Sequence, residues 1–134
     1  MNISEAARQS GLSAKTIRYY EEIGLISPAS RGQNGYRQYD ASALEQLKFL
    51  ARAREVGFDL EECRQLLELH RDESRQSRHA RELVLEKSQQ LQLRIDRLMA
   101  MQQVLEDMAG RCRGDEGPEC AILEDLAAPQ GEAG

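Results

Sequence analysis

Apolar residues first recur at helical spacing at Ile3, Ala6 and Ala7, which predicts a short helix over residues 3–10 that Gly11 stops. Ser13 is placed to cap a second helix, Ser13-Ala-Lys-Thr-Ile-Arg-Tyr-Tyr-Glu-Glu-Ile, and Gly24 stands where a left-handed glycine closes one. Two short helices joined at Gly11-Leu12 predict a helix-turn-helix whose second member carries Lys15, Thr16, Arg18 and Tyr19. From Leu25 to Tyr39 the helical period disappears, and Pro28, Gly32 and Asn34-Gly35 appear. Asn-Gly tolerates positive φ at both positions of a two-residue turn, so Leu25-Ile26 and residues 36–39 are predicted to be the short strands of a wing.

Asp40 is expected to cap a helix over about residues 41–55, with Leu44, Leu47, Phe49 and Leu50 as its apolar positions and Gly57 at its end. Asp59 and Glu62 have the spacing of a capping box, opening a helix that runs to about His70. After a charged stretch, Val84, Leu91, Leu98 and Leu105 recur every seven residues, and Ile95, Met101 and Met108 widen the stripe. Such a heptad predicts a coiled coil, and because one helix cannot bury its stripe alone, a homodimer. The predicted fold is mainly α. Residues 1–70 form a winged helix-turn-helix head, 71–78 a linker, 79–109 a dimerisation helix, and 110–134 a loop with a short helix and a tail.

Charge sharpens this picture. The net charge of the 134-residue chain is -5, which by itself argues against nucleic acid. Between Arg8 and Arg54, however, eight basic side chains face four acidic ones, a balance of +4, and the remainder carries -9. A locally basic surface with an acidic remainder suits a protein that grips DNA through one end. Lys15, Arg18, Arg31 and Arg37 offer cations to phosphates, and Tyr19, Tyr20 and Tyr36 offer hydroxyl donors, although the Tyr20 ring also suits a core position. No apolar run reaches the roughly 20 residues of a bilayer span, and the first residues lack the basic and apolar parts of a signal peptide, so a cytoplasmic protein is expected. Nothing pairs a nucleophile with a base, cradles a phosphate or matches H-E-x-x-H, so no enzyme is expected.

Three cysteines cannot all pair within one chain. Cys63 lies among Leu60, Leu66 and Leu67 at helical spacing and reads as a buried structural thiol, while His70 and His79 are expected to face solvent. Cys112 and Cys120 are different. Seven residues lie between them, in the loop Arg-Cys-Arg-Gly-Asp-Glu-Gly-Pro-Glu-Cys, with no histidine beside them. Two thiols make a soft site of low coordination number, better suited to a monovalent ion than to a four-ligand zinc cage. Free loop thiols and a regulatory disulfide are the alternatives. Pro118 and Glu119 are placed to open a short helix through Cys120, Ile122 and Leu123, bringing free amides near the sulfurs.

Through Arg18-Tyr19-Tyr20-Glu21-x-x-Gly24-Leu25 and Asn34-Gly35-Tyr36-Arg37-x-Tyr39, followed in order by the heptad helix and the cysteine loop, the chain resembles the MerR family of winged-helix transcription regulators. The likeness extends to about residue 126 and is strongest to the family's copper-efflux regulators. It implies a homodimer on double-stranded promoter DNA that works with RNA polymerase, and one Cu(I), Ag(I) or Au(I) per chain clamped linearly by Cys112 and Cys120. In members that sense divalent ions the position of Ser77, expected just before the long helix, is a third cysteine ligand reaching across the dimer. A hydroxyl there is a poor ligand for a soft cation, so the site stops at two sulfurs. Arg81 of the long helix is expected to help offset the negative charge of the two thiolates from across the dimer. A thiol-redox or small-molecule-responsive regulator on the same scaffold is the alternative.

Overall fold

The computed structural model describes residues 1–27, 29–32, 35–112 and 114–128. Pro28 and Asn34 of the predicted wing, Arg113 of the cysteine loop and the tail from 129 onward lie outside them. In order, the elements are α1 (Ile3–Ser10), α2 (Ala14–Glu22), β1 (Ser30–Arg31), β2 (Arg37–Gln38), α3 (Ala41–Glu55), α4 (Leu60–Arg71), α5 (Ser77–Arg111) and α6 (Ala121–Ala127). They fall into two compact units, Met1–Lys87 and Ser88–Gly134. Among the described residues, no helix is long and apolar enough to cross a membrane.

Local chemistry sets the helix ends of the first unit. Ser13, Asp40 and Asp59 each accept an amide of the following turn, and Asp59 and Glu62 complete the expected capping box. Caps of this kind contribute about 1 kcal/mol each. Gly11 and Gly24 take φ of 82° and 74°, conformations that side chains other than glycine's rarely adopt. α1 packs on both α2 and α3, and α3 packs on α4. Ala6, Ile17, Leu47, Leu50, Cys63 and Leu67 meet in the core that results. Full burial of a leucine or isoleucine stabilises by about 1.5–3 kcal/mol, so this cluster supplies the main drive for folding the unit. Burial also pushes the Cys63 thiol up, as expected of a structural cysteine.

Two sequence expectations need correction. Leu25 and Ile26 form no strand. They are buried where the chain leaves α2, and their amides bond to the Tyr20 carbonyl at 2.9 and 3.4 Å. The first strand is Ser30–Arg31, antiparallel to Arg37–Gln38 with Ser30 opposite Gln38. Beyond this pair, the Gly32 amide bonds to the Tyr36 carbonyl at 2.9 Å and the Gly35 amide to the Gly32 carbonyl at 3.0 Å. Gly35 takes φ 81°, and the rest of the expected Asn34-Gly35 turn lies outside the described residues. The second correction concerns the long helix, which begins at Ser77 and runs to Arg111, so Ser77 is its first residue and does not precede it.

His70 is exposed, as expected, and also makes contacts on one side. Its ring stacks on Phe49 at 4.9 Å, and Nε2 lies 3.8 Å from Glu45 Oε1.

Candidate nucleic-acid interface and thiol centre

α2 presents two faces. Ile17 and Tyr20 are buried in the core, while Lys15, Arg18 and Tyr19, spaced for one side of a helix, are exposed. Thr16 is partly occupied by the cap, since its hydroxyl accepts from Ser13 Oγ at 2.9 Å and its amide donates to the same oxygen at 3.0 Å. Tyr20 leaves the group of solvent-facing donors. Only 4% of it is exposed, because it sits on the inward stripe of α2.

The wing contributes Arg31, Tyr36 and Arg37. Arg31 is exposed and folds back so that Nη1 donates to the Gly35 carbonyl at 2.8 Å, tightening the wing's tip. Tyr36 is exposed. Arg37 is anchored from beneath: its Nε lies 3.1 Å from Glu21 Oε2, and the Glu21 side chain is only 6% exposed. Glu21 Oε1 accepts the Tyr39 hydroxyl at 2.6 Å. Burial and the adjoining carboxylate push the Tyr39 phenol far up, so it remains a donor to Glu21 throughout the physiological range. Arg18, Tyr36 and Arg37 converge on one groove of about 430 Å³, together with Asn2, Ser4 and Gln38. Asn2 and Ser4 are absent from the sequence reading. The available signal was Asn2 itself, an asparagine just ahead of an amphipathic run, which caps α1 by accepting the Glu5 amide at 2.9 Å.

In the second unit, Cys112 directly follows the last residue of α5, and Cys120 occupies the cap position of α6. Both are half-buried and free, and their sulfurs lie 3.4 Å apart. That separation exceeds a disulfide's roughly 2.05 Å and falls short of the roughly 4.6 Å spanned by two thiolate–metal bonds in line. Cys120 Sγ makes no capping bond of ordinary length. The Leu123 amide first, then the Cys112 thiol and the Ile122 amide, nevertheless lower its pKa, against burial and the Glu124 charge. A thiol shifted in this direction supplies thiolate, the form that ligates soft metals. Arg111 holds α6 through Asp125 at 3.6 Å and lines the same groove as Cys120. Arg81, the cation expected from the sequence, lies exposed one turn beyond the equally exposed Ser77. Among the described residues, no group of three or more His, Cys, Asp or Glu side chains is arranged to hold a metal ion.

A capped helix and an anchored wing that turn their cations and tyrosines outward are the working parts of a DNA-binding regulator. Residues 1–69 match the family described as MerR HTH family regulatory protein, and residues 44–108 the description MerR, DNA binding. The chain belongs to the MerR family of DNA-binding transcription regulators, which are not enzymes. It is 47% identical over 127 residues to the HTH-type transcriptional regulator HmrR of Rhizobium leguminosarum bv. viciae, covering 95% of this chain and 98% of that protein. Identity to the HTH-type transcriptional regulator CueR of Salmonella typhi is 42%, covering 95% and 92% of the two chains. The crystal structure of the transcription regulator PbrR691 from Ralstonia metallidurans CH34 in complex with lead(II) superposes with a TM-score of 0.83 at 30% identity, over 95% of this chain and 99% of that one.

Proposed function

We propose that this chain is a metal-responsive transcription regulator of the cytoplasm that senses Cu(I), and also Ag(I) and Au(I), and activates a copper-efflux or detoxification promoter. The observation that carries the reading is the pair of half-buried sulfurs 3.4 Å apart, with the Cys120 thiol lowered by helix amides. The likeness to copper-efflux regulators and to CueR supports the choice of ion. PbrR691 binds lead(II) on the same fold, so the scaffold does not set the metal; the number and softness of the donors do. Cys112 and Cys120 hold one ion per chain, and a bound monovalent cation replaces the sulfur–sulfur contact with two metal–thiolate bonds. Two thiolates around a +1 ion keep one negative charge, which the amides at the start of α6 and Arg111 offset, with Arg81 of the partner helix as a second cation.

Two such chains pair through the stripe of α5, placing two heads on a palindromic promoter. Lys15, Arg18, Tyr19, Arg31, Tyr36 and Arg37 contact the duplex, with Thr16 at the cap. Regulation acts on DNA shape: a change in the angle between heads bends and undertwists a spacer otherwise too long for RNA polymerase. Effector binding selects between two conformations of one bound dimer.

The test is anaerobic Cu(I) titration with X-ray absorption, followed by transcription in vitro. Cys112→Ser and Cys120→Ser are each expected to abolish metal-induced transcription and leave operator binding nearly intact, whereas Cys63→Ser still responds. Full induction in either loop mutant removes the assignment. The short sulfur–sulfur contact also favours a second reading, in which peroxide takes two electrons and two protons from the thiols to form a disulfide and water. Activation by peroxide without metal, lost on addition of dithiothreitol, would select that reading.

A further inference from the structure

The polar contacts of the first unit include a chain that the functions above leave unused. Lys87 of α5 is buried, its side chain 6% exposed, with Nζ 2.8 Å from Glu62 Oε1 and 5.9 Å from the centre of the Phe58 ring. The same Glu62 oxygen accepts the Asp59 amide at 2.8 Å, so one carboxylate oxygen joins the N-terminal cap of α4 to α5. Two residues along α4, Arg64 reaches the recognition helix. Its Nη2 donates to the Ile23 carbonyl at 3.2 Å and its Nη1 to the Gly24 carbonyl at 3.3 Å, the groups that close α2.

Surface ion pairs contribute little to geometry, because water screens them and their side chains stay mobile. Lys87 and Glu62 are of another kind. Separating a largely desolvated ammonium from its carboxylate costs far more than separating an exposed pair, so the pair is poor as a source of stability and effective as a device for register. Arg64 adds a planar fork that a lysine could not reproduce on two adjacent carbonyls. Both joints lie on α4, a twelve-residue helix with its own capping box.

We propose that α4 is a lever through which α5 sets the attitude of α2, with Lys87–Glu62 as the joint at one end and Arg64 as the joint at the other. These three are positioning residues for the distortion of promoter DNA. The inference rests on the metal-responsive reading above: Cys112 follows α5 directly, so the input is a change in α5 and the output is the attitude of Lys15, Arg18 and Tyr19.

The experiment uses the full-length dimer and the duplex that the wild-type protein enriches from a random pool. Lys87→Met with Glu62→Gln removes both charges, conserves volume, and keeps a side-chain oxygen to accept the Asp59 amide. Lys87→Arg is the conservative control. Without metal, the double variant is expected to lose hydrogen-exchange protection at the Ile23, Gly24 and Leu25 amides while its melting curve stays cooperative. Lys87→Arg is expected to keep that protection. With Cu(I), linkage requires the ion's affinity for free and for operator-bound protein to differ by the factor with which it biases the DNA complex, about 5–150-fold for ordinary coupling. That ratio and the induction ratio should fall to within about twofold of one in the double variant and in Arg64→Gln, with free-protein Cu(I) affinity unchanged. Wild-type protection at the Ile23, Gly24 and Leu25 amides in the double variant overturns the lever, whatever the metal does. So does a wild-type affinity ratio in that variant. Failure of the wild-type protein to bind Cu(I) overturns the copper reading instead, and the exchange comparison still decides the lever.

Discussion

The first unit and the second are both mostly helical, yet they treat their apolar residues in opposite ways. In Met1–Lys87 the stripes of four helices converge, so that Leu47 is fully buried, and polar contacts such as Arg64 to Gly24 span forty positions of sequence. In the unit from Ser88 onward most of the heptad stripe stays open. Leu98 is 62% exposed, and Ile95, Met101 and Leu105 are exposed beside it, while Met108 is buried. A unit that closes its own core owes its stability to its sequence alone, whereas the exposed stripe of the second is the surface through which the proposed homodimer would pair, with a stability that depends on concentration. The contrast places DNA recognition on the self-sufficient part and the thiol centre on the part that the proposed dimer would pair.

The largest expected effect tests that contrast directly. Leu47→Ala should cost about 2–5 kcal/mol, the range for a buried leucine, and lower the melting temperature by the same amount at any protein concentration. Leu98→Glu should instead shift the assembly towards monomer in sedimentation equilibrium, with a midpoint that depends on concentration. A concentration-independent dimer of Leu98→Glu would break the comparison. Next in size is a gain of function at the start of α5. Ser77→Cys is expected to add a thiolate from the partner chain and bring measurable Zn(II) or Hg(II) binding in competitive titration, because a divalent ion gains both charge balance and coordination number. Strong activation of the wild-type protein by Zn(II) would undo the two-ligand argument.

Smaller effects belong to the head. Arg18→Ala and Arg37→Ala should each reduce the slope of log affinity against log salt by about 0.9, on operator and random duplex alike. Only Arg37→Ala should also lower the melting temperature, since it deprives Glu21 of its cation. An unchanged slope for either would make that cation purely structural. The smallest effect is at Cys120. Its thiol is held below the ordinary value, so thiolate persists in the folded chain at pH values where an unfolded cysteine is already protonated. Iodoacetamide should alkylate Cys120 faster in folded than in urea-unfolded protein near neutral pH. The advantage should vanish once the pH passes the unfolded thiol's own pKa.

Much of the fold was legible because it is local. Ser13, Asp40 and the Asp59–Glu62 box announce helix starts through bonds to amides within the next turn, and Gly11, Gly24 and Gly57 announce ends through positive φ. The heptad and the cysteine spacing were legible for the same reason. What was missed depends on docking between distant segments. Strands of two residues carry no period, so nothing at Ser30–Arg31 distinguished them from the loop, and Leu25-Ile26 read as strand because buried apolar pairs occur in both states. In the sequence, nothing separates Lys87 from the other charges of a long helix, or Glu21 from the other acids of the basic head. Their importance comes from neighbours far away in sequence, Glu62 for the first and Arg37 with Tyr39 for the second.

The anchoring of Arg37 on Glu21 has a consequence for what that position tolerates. A guanidinium carries five N–H donors in one plane, so it can give Nε–H to the carboxylate below and still offer others to a phosphate above. The side chain is 39% exposed, which leaves it accessible from the groove it shares with Arg18 and Tyr36. A lysine brings the same charge but gathers it at a single point, and must choose between the two. The wing's footing and its proposed grip on the duplex thus draw on one planar group. Arg37→Lys, conservative by charge, trades one against the other.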